Sequence, residues 1–226
     1  MTSRVTGDRA VLLDIDGTLV DSTYHHALAW HRAFDRYGDP PPLWRVHRTI
    51  GMGGDKLVAE VAGEDTEERL GDQLRDAWQE EYRKLLPEVR PLPGASALVT
   101  DIRQAGVRVA LASSGEPEFA QHAVDLLGIT DDVEVLVTNA DVDDSKPDPD
   151  LLQVTLSRLD GVASAVLVGD TIYDVQAAAR AGLSCLTVRT GGFGTAELDA
   201  AGAALVVESV EELRDGAWQA HLRGTD

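Results

Sequence analysis

Short, nearly unbroken apolar runs recur along this chain, and most are followed by a stretch of helical length. They are Ala10–Leu13, Val107–Leu111, Val133–Val137, Ala165–Val168, Cys185–Val188 and Ala204–Val207. A strand with one wet face alternates apolar and polar residues, yet Val11-Leu12-Leu13 and Val166-Leu167-Val168 do not alternate. Runs of this kind suit a parallel sheet covered on both faces. The helical stretches have legible ends: Glu116–Leu127 stops at Gly128 and Asp170–Ala181 stops at Gly182, where glycine accepts the left-handed C-terminal cap. The expected fold is therefore α/β, with a doubly wound parallel sheet.

One section breaks the rhythm. From about Ser22 to Leu86 the pattern is helical with no convincing strand. Ala27, Trp30, Phe34 and Tyr37 fall at helical spacing, as do Leu70, Leu74, Trp78, Tyr82 and Leu85. Proline-rich turns at Asp39–Pro42 and Arg90–Gly94 punctuate it. The reading is a core of residues 1–20 and 88–226, with a small helical domain, 21–87, inserted after the first strand.

Composition narrows the function. The 226 residues carry a formal net charge of -19, so a nucleic acid or an anionic membrane would be repelled by most of the surface. No apolar stretch has bilayer-spanning length. The polar start Met1–Arg9 does not read as a signal peptide, and the lone Cys185 forms no internal disulfide. A cytoplasmic protein, monomer or homodimer, acting on a small molecule is expected.

The chemistry collects at strand ends, where open α/β sheets bind their ligands. The first strand ends in Asp14-Ile15-Asp16-Gly17-Thr18, the second in Ser113-Ser114-Gly115 and the fourth in Gly169-Asp170-Thr171-Ile172-Tyr173-Asp174. Ser145-Lys146-Pro147-Asp148 follows the third. An Asp-Gly pair alone is a common strand-closing turn, and a lone strand-end Ser or Lys is more often a cap or a solvated charge. Four successive termini carrying two Asp, a hydroxyl, a Lys and another Asp pair are hard to explain as capping.

Together these residues resemble the haloacid dehalogenase-like superfamily, over nearly the whole chain. The resemblance implies a Rossmann-like core with a cap, and a phosphatase in which Asp14 is the nucleophile and Asp16 the general acid and base. It implies that Ser113 and Lys146 assist at the phosphoryl group. It also implies that Mg²⁺ is held by Asp14, the Asp16 carbonyl and Asp170, with Asp174 as ligand or neighbour. Thr18, Ser114 and Gly115 are candidates to touch the substrate.

The inserted segment bears on substrate choice. Its stretch Ser22–Lys56 carries a net +2, and His25, His26, His31 and His47 lie there. The glycine-rich His47–Lys56 resembles the specificity loop of capped phosphatases such as phosphoglycolate phosphatases. Arg48 and Lys56 are the candidates for a distal substrate group, a solvated surface being the plain alternative. The histidines are read as packing residues, not metal ligands. A sugar-phosphate mutase shares the Asp14/Asp16 arrangement, and Lys56 keeps a phosphonoacetaldehyde hydrolase open, since that chemistry needs a lysine for a Schiff base. Signalling receivers and catalytically silent binding proteins are the non-hydrolytic alternatives.

Overall fold

The computed structural model describes residues 8–38 and 40–222. Its strands are β1 (Asp8–Leu13), β2 (Val20–Asp21), β3 (Arg90–Pro91), β4 (Arg108–Ala112), β5 (Val135–Val137), β6 (Val162–Gly169), β7 (Ser184–Val188) and β8 (Leu205–Val207). Six of them pair in parallel in the order β5-β4-β1-β6-β7-β8. The central strand β1 shows why its sequence does not alternate. Val11 and Leu13 join the core on one face of the sheet, Ala10 and Leu12 that on the other, and all four are fully buried.

Helices cover both faces: α5 (Ala95–Gln104), α6 (Pro117–Leu127), α7 (Asp150–Arg158), α8 (Ile172–Arg180) and α9 (Thr195–Ala201) connect the strands that follow the inserted segment. The α6 helix ends as its sequence implies, with Gly128 left-handed at φ 65°. The α8 helix starts two residues later than expected. Thr171 caps it reciprocally with Asp174, an N-terminal box that occupies one oxygen of that aspartate.

The segment expected to be purely helical contains α1 (Thr23–Arg36), α2 (Leu43–His47), α3 (Gly54–Ala62) and α4 (Glu64–Leu85). It is bracketed by an element that sequence reading misses. β2 and β3 pair antiparallel, Val20 with Pro91 and Asp21 with Arg90. Two-residue strands are too short to show a period, and a proline can occupy the edge because it needs no N–H there. Aromatic rings tie this helical lobe to the core. Trp30 stacks on Trp78 with centroids 5.1 Å apart, and Tyr82 of α4 meets Phe119 of α6 edge-on at 4.7 Å.

Candidate active site

The central position of β1 decides what can meet. Its neighbours β4 and β6 end beside it, so Asp14, Ser113 and Asp170 leave three adjacent strands at one edge. The ladder continues one residue past β1, through Asp14 N–H to the Val168 carbonyl at 2.9 Å, which orients Asp14 by backbone alone. Gly17 then turns at φ 79°, and a Cβ there would collide with Asp170 and Thr23.

Lys146 reaches this edge from the segment after β5. Its ammonium is 1% exposed, hydrogen-bonds Asp14 Oδ1 and lies 2.8 Å from Asp174 Oδ1. Burial favours a neutral lysine, but Asp14 and Asp174 outweigh it and hold Lys146 protonated above its usual range. Burial pushes the Asp14 carboxyl up to about 7, with Asp174 and Asp16 adding to the shift against the pull of Lys146. Asp170 is raised well above normal by burial, then by Asp174 and Asp14.

Three carboxylates, Asp14, Asp170 and Asp174, are thus buried with ligand oxygens within 4.8 Å of one another. One ammonium does not neutralise them. Asp170 Oδ2 is buried with no hydrogen-bond partner among the described residues, which is costly for a carboxylate oxygen unless a cation meets it. An all-oxygen donor set suits Mg²⁺, so the residues fit the ion that the resemblance implies. Thr18 supports this cluster and does not face the cavity: it is fully buried and donates to Asp170 Oδ1 at 3.1 Å.

Asp16 has a different setting. Ser22 Oγ donates to its Oδ1 at 2.6 Å and His26 Nε2 lies 3.0 Å from the same atom. Burial alone would raise Asp16, but His26 and the two hydrogen bonds lower it below the usual carboxylate range. His26 is held in turn by stacking on Tyr82 at 3.8 Å. Ser113 accepts the Gly115 N–H at 3.0 Å, so its own hydroxyl hydrogen is free to donate. Asp14, Asp16, Ser114 and Gly115 line a cavity of about 50 Å³, closed from the lobe side by Trp30 and Trp78 among others. A larger hollow of about 390 Å³ lies on the lobe beside Pro40–Pro42 and Arg69, and no strand-end residue lines it.

A family profile described as haloacid dehalogenase-like hydrolase matches residues 11–188, a span that holds every strand-end residue above. The chain belongs to the haloacid dehalogenase-like hydrolase family. Among curated relatives, a phosphoglycolate phosphatase of Cupriavidus necator is 34% identical over 90% of this chain and 90% of its own. An N-acetylmuramic acid 6-phosphate phosphatase of Pseudomonas aeruginosa is 29% identical over 92% and 93%. Among solved structures, a hydrolase from Pseudomonas syringae superposes with a TM-score of 0.87 at 29% identity, covering 94% of this chain and 99% of that one. This hydrolase family membership, with phosphatases as relatives, makes the chain an enzyme.

Two candidates do not reach the family's strand-end cluster. Arg48 pairs with Glu197 at 2.5 Å and lies 4.1 Å over the Phe193 ring. Lys56 hydrogen-bonds Asp148 and stands 3.4 Å from Asp144. Burial disfavours its charge, but these carboxylates raise Lys56 above its usual range, the wrong state for Schiff-base formation. Neither side chain lines the cavity. Conversely, Ser22 and His26 went unnoticed as site residues. A signal existed: Ser22 at the N-cap of α1 and His26 one turn into the helix are both buried, on the side where an amphipathic helix should be apolar.

Proposed function

We propose that this protein is a Mg²⁺-dependent phosphatase that hydrolyses a small phosphate monoester through an aspartyl-phosphate on Asp14. The observation that carries the reading is the meeting of Asp14 with a buried, protonated Lys146 beside Asp170, whose Oδ2 has no hydrogen-bond partner among the described residues. Asp14 Oδ attacks phosphorus and the bond to the leaving oxygen breaks. Asp16 takes up a proton from solvent as the substrate binds and supplies it to that oxygen. Entry of a phosphate dianion raises its proton affinity from the depressed value that His26 and Ser22 maintain. Asp16, ionised again, takes a proton from water, which attacks phosphorus and releases Asp14. Such proton transfer contributes about 100- to 10,000-fold. Lys146 and the Ser113 hydroxyl offset charge on the phosphoryl oxygens.

Asp14, Asp170 and the Asp16 carbonyl would hold the Mg²⁺, with Asp174 beside them. When bound, the ion neutralises charge between carboxylate and phosphate. The helical lobe acts as a cap that shuts water out while Asp14 is phosphorylated. Phosphoglycolate is the first substrate to try, supported by the Cupriavidus relative, with sugar phosphates next. The net charge of -19 supports a small metabolite over nucleic acid. No helix among the described residues is long and apolar enough to cross a membrane, and a cytoplasmic monomer or homodimer is the setting proposed.

The test is phosphate release from phosphoglycolate, hexose phosphates and nucleoside monophosphates, with Mg²⁺ and with EDTA, by the wild type and Asp14→Asn. Release that needs Mg²⁺ and is lost in the variant is expected. Conversion between hexose phosphates with no net release would favour the mutase reading instead.

A further inference from the structure

The lobe residues Asp55 and Lys56 hold the segment that carries Lys146. Between the turn after β5 and the start of α7, Val142–Pro149 forms neither helix nor strand. Within it Asp148 N–H reaches the Ser145 carbonyl at 3.1 Å. Side-chain contacts among the described residues hold it from three places. Asp14 and Asp174 meet Lys146 in the site. Arg180 of α8 donates to the Pro147 carbonyl and to Asp148, each at 2.9 Å. The third set comes from the first turn of α3. Asp55 accepts the Ser145 hydroxyl and, at 3.4 Å, its backbone N–H, while Lys56 meets Asp148 and Asp144. Residues 145 and 148 are therefore gripped from the lobe on both sides of Lys146.

The approach is close by necessity. Gly53 has an ordinary φ of -71°, so its lack of a side chain is not a backbone requirement. A Cβ there would collide with Ser145 Oγ and Cβ. The lobe backbone comes down onto the segment, and only glycine lets it reach that depth.

Resting on the phosphatase reading for the role of Lys146, we infer that Asp55 and Lys56 are positioning residues that couple the seating of the lobe to the placement of Lys146 against Asp14. They do not read the substrate's distal group, because their charges are spent on Ser145, Asp148 and Asp144. Lys146 is held in register while the lobe is seated and loses two of its flanking restraints when the lobe lifts. An exposed ion pair adds little stability, so the effect belongs to geometry at the reacting atoms, where a displacement near 1 Å costs on the order of 100-fold.

The experiment compares kcat and KM of the wild type, Asp55→Ala, Lys56→Ala and Gly53→Ala with Mg²⁺, on phosphoglycolate and on acetyl phosphate. Positioning through Lys146 lowers kcat by about 10- to 100-fold by the same factor on both compounds. It also makes Asp55→Ala and Ser145→Ala non-additive. A loss confined to the KM of phosphoglycolate overturns the inference, because it marks a residue that reads the distal carboxylate. Unchanged kcat in folded variants overturns it as well. Should Lys56→Ala fail to fold, Lys56→Gln and Lys56→Arg carry the test: kcat lost in a folded Gln variant and kept in the Arg variant supports the coupling, and full kcat in the Gln variant overturns it. Wild-type protein inactive on both compounds and on the hexose phosphates and nucleoside monophosphates would remove the phosphatase reading itself, an outcome distinct from active wild type with indifferent variants.

Discussion

Asp14 and Asp16 stand two residues apart and differ in proton affinity because their neighbours differ. Asp14 is buried with Asp174 beside it, so burial and like charge raise it, whereas Asp16 faces His26 and Ser22 and is lowered. This separation suits a nucleophile that awaits a cation and a base that is already ionised. Replacing His26 by Gln removes the neighbour that lowers Asp16. The acid limb of the kcat/KM profile is expected to move to higher pH, with the Asp14-dependent burst of phosphoenzyme retained. A pH–rate profile of the two proteins checks this; an unmoved limb would leave His26 a packing residue only. At Asp170 the buried charge itself is the cost. Asp170→Asn is expected to raise stability in EDTA, by relieving repulsion with Asp174 and Asp14, and to abolish any stabilisation by Mg²⁺.

Among the elements, α1 and α4 carry the lobe. Besides their stacked tryptophans they are joined by Arg36, which meets Glu81 and, at 2.6 Å, Glu80. Glu81 is 9% exposed at its side chain and also accepts Lys84 at 2.7 Å. Hydrogen bonds from Lys84 and Arg36 hold its carboxyl below the usual 4.5, against the opposing effect of burial. A carboxylate lowered in the folded state adds stability that is fully present above its unfolded value and is lost as pH falls through the folded one. The wild type should therefore lose stability more steeply than Glu81→Gln as pH drops from about 5 to 3, a range set by the unfolded carboxylate. Urea unfolding at stepped pH measures it; parallel slopes would remove Glu81 from the acid sensitivity. Trp30→Ala empties the ring stack and is expected to cost about 3–5 kcal/mol.

For the whole molecule, the site is assembled from four strand ends and a lobe that packs over them, so anything that binds there stabilises everything. Mg²⁺ at about 100 times its Kd should add about 2.7 kcal/mol, read as a rise in the thermal midpoint that Asp170→Asn lacks. A midpoint equal in Mg²⁺ and EDTA would speak against the acidic cluster as a metal site. The -19 charge supplies a general repulsion that salt screens, so salt titration separates specific from bulk effects.

The parallel sheet was legible because buried strands leave uninterrupted apolar runs, and the strand-end motifs because chemistry at a sheet edge concentrates in a few residues after each run. Asp14, Asp16, Lys146 and Asp170 could be named from that pattern alone. What the pattern could not hold is pairing between segments far apart in the chain. The ribbon of β2 with β3 is too short for a period, and its stability comes from its partner across some seventy residues. The turning of Arg48 toward Glu197 and of Lys56 toward Asp148 depends on where the lobe sits over the core. A charged residue in a loop advertises its charge but not its counter-ion. His26 looked like packing for the same reason: its partner Asp16 lies ten residues away, beyond the ribbon strand, and only folding brings the two to 3.0 Å. Local pattern therefore determined which residues could do chemistry, and tertiary packing decided which of them face one another.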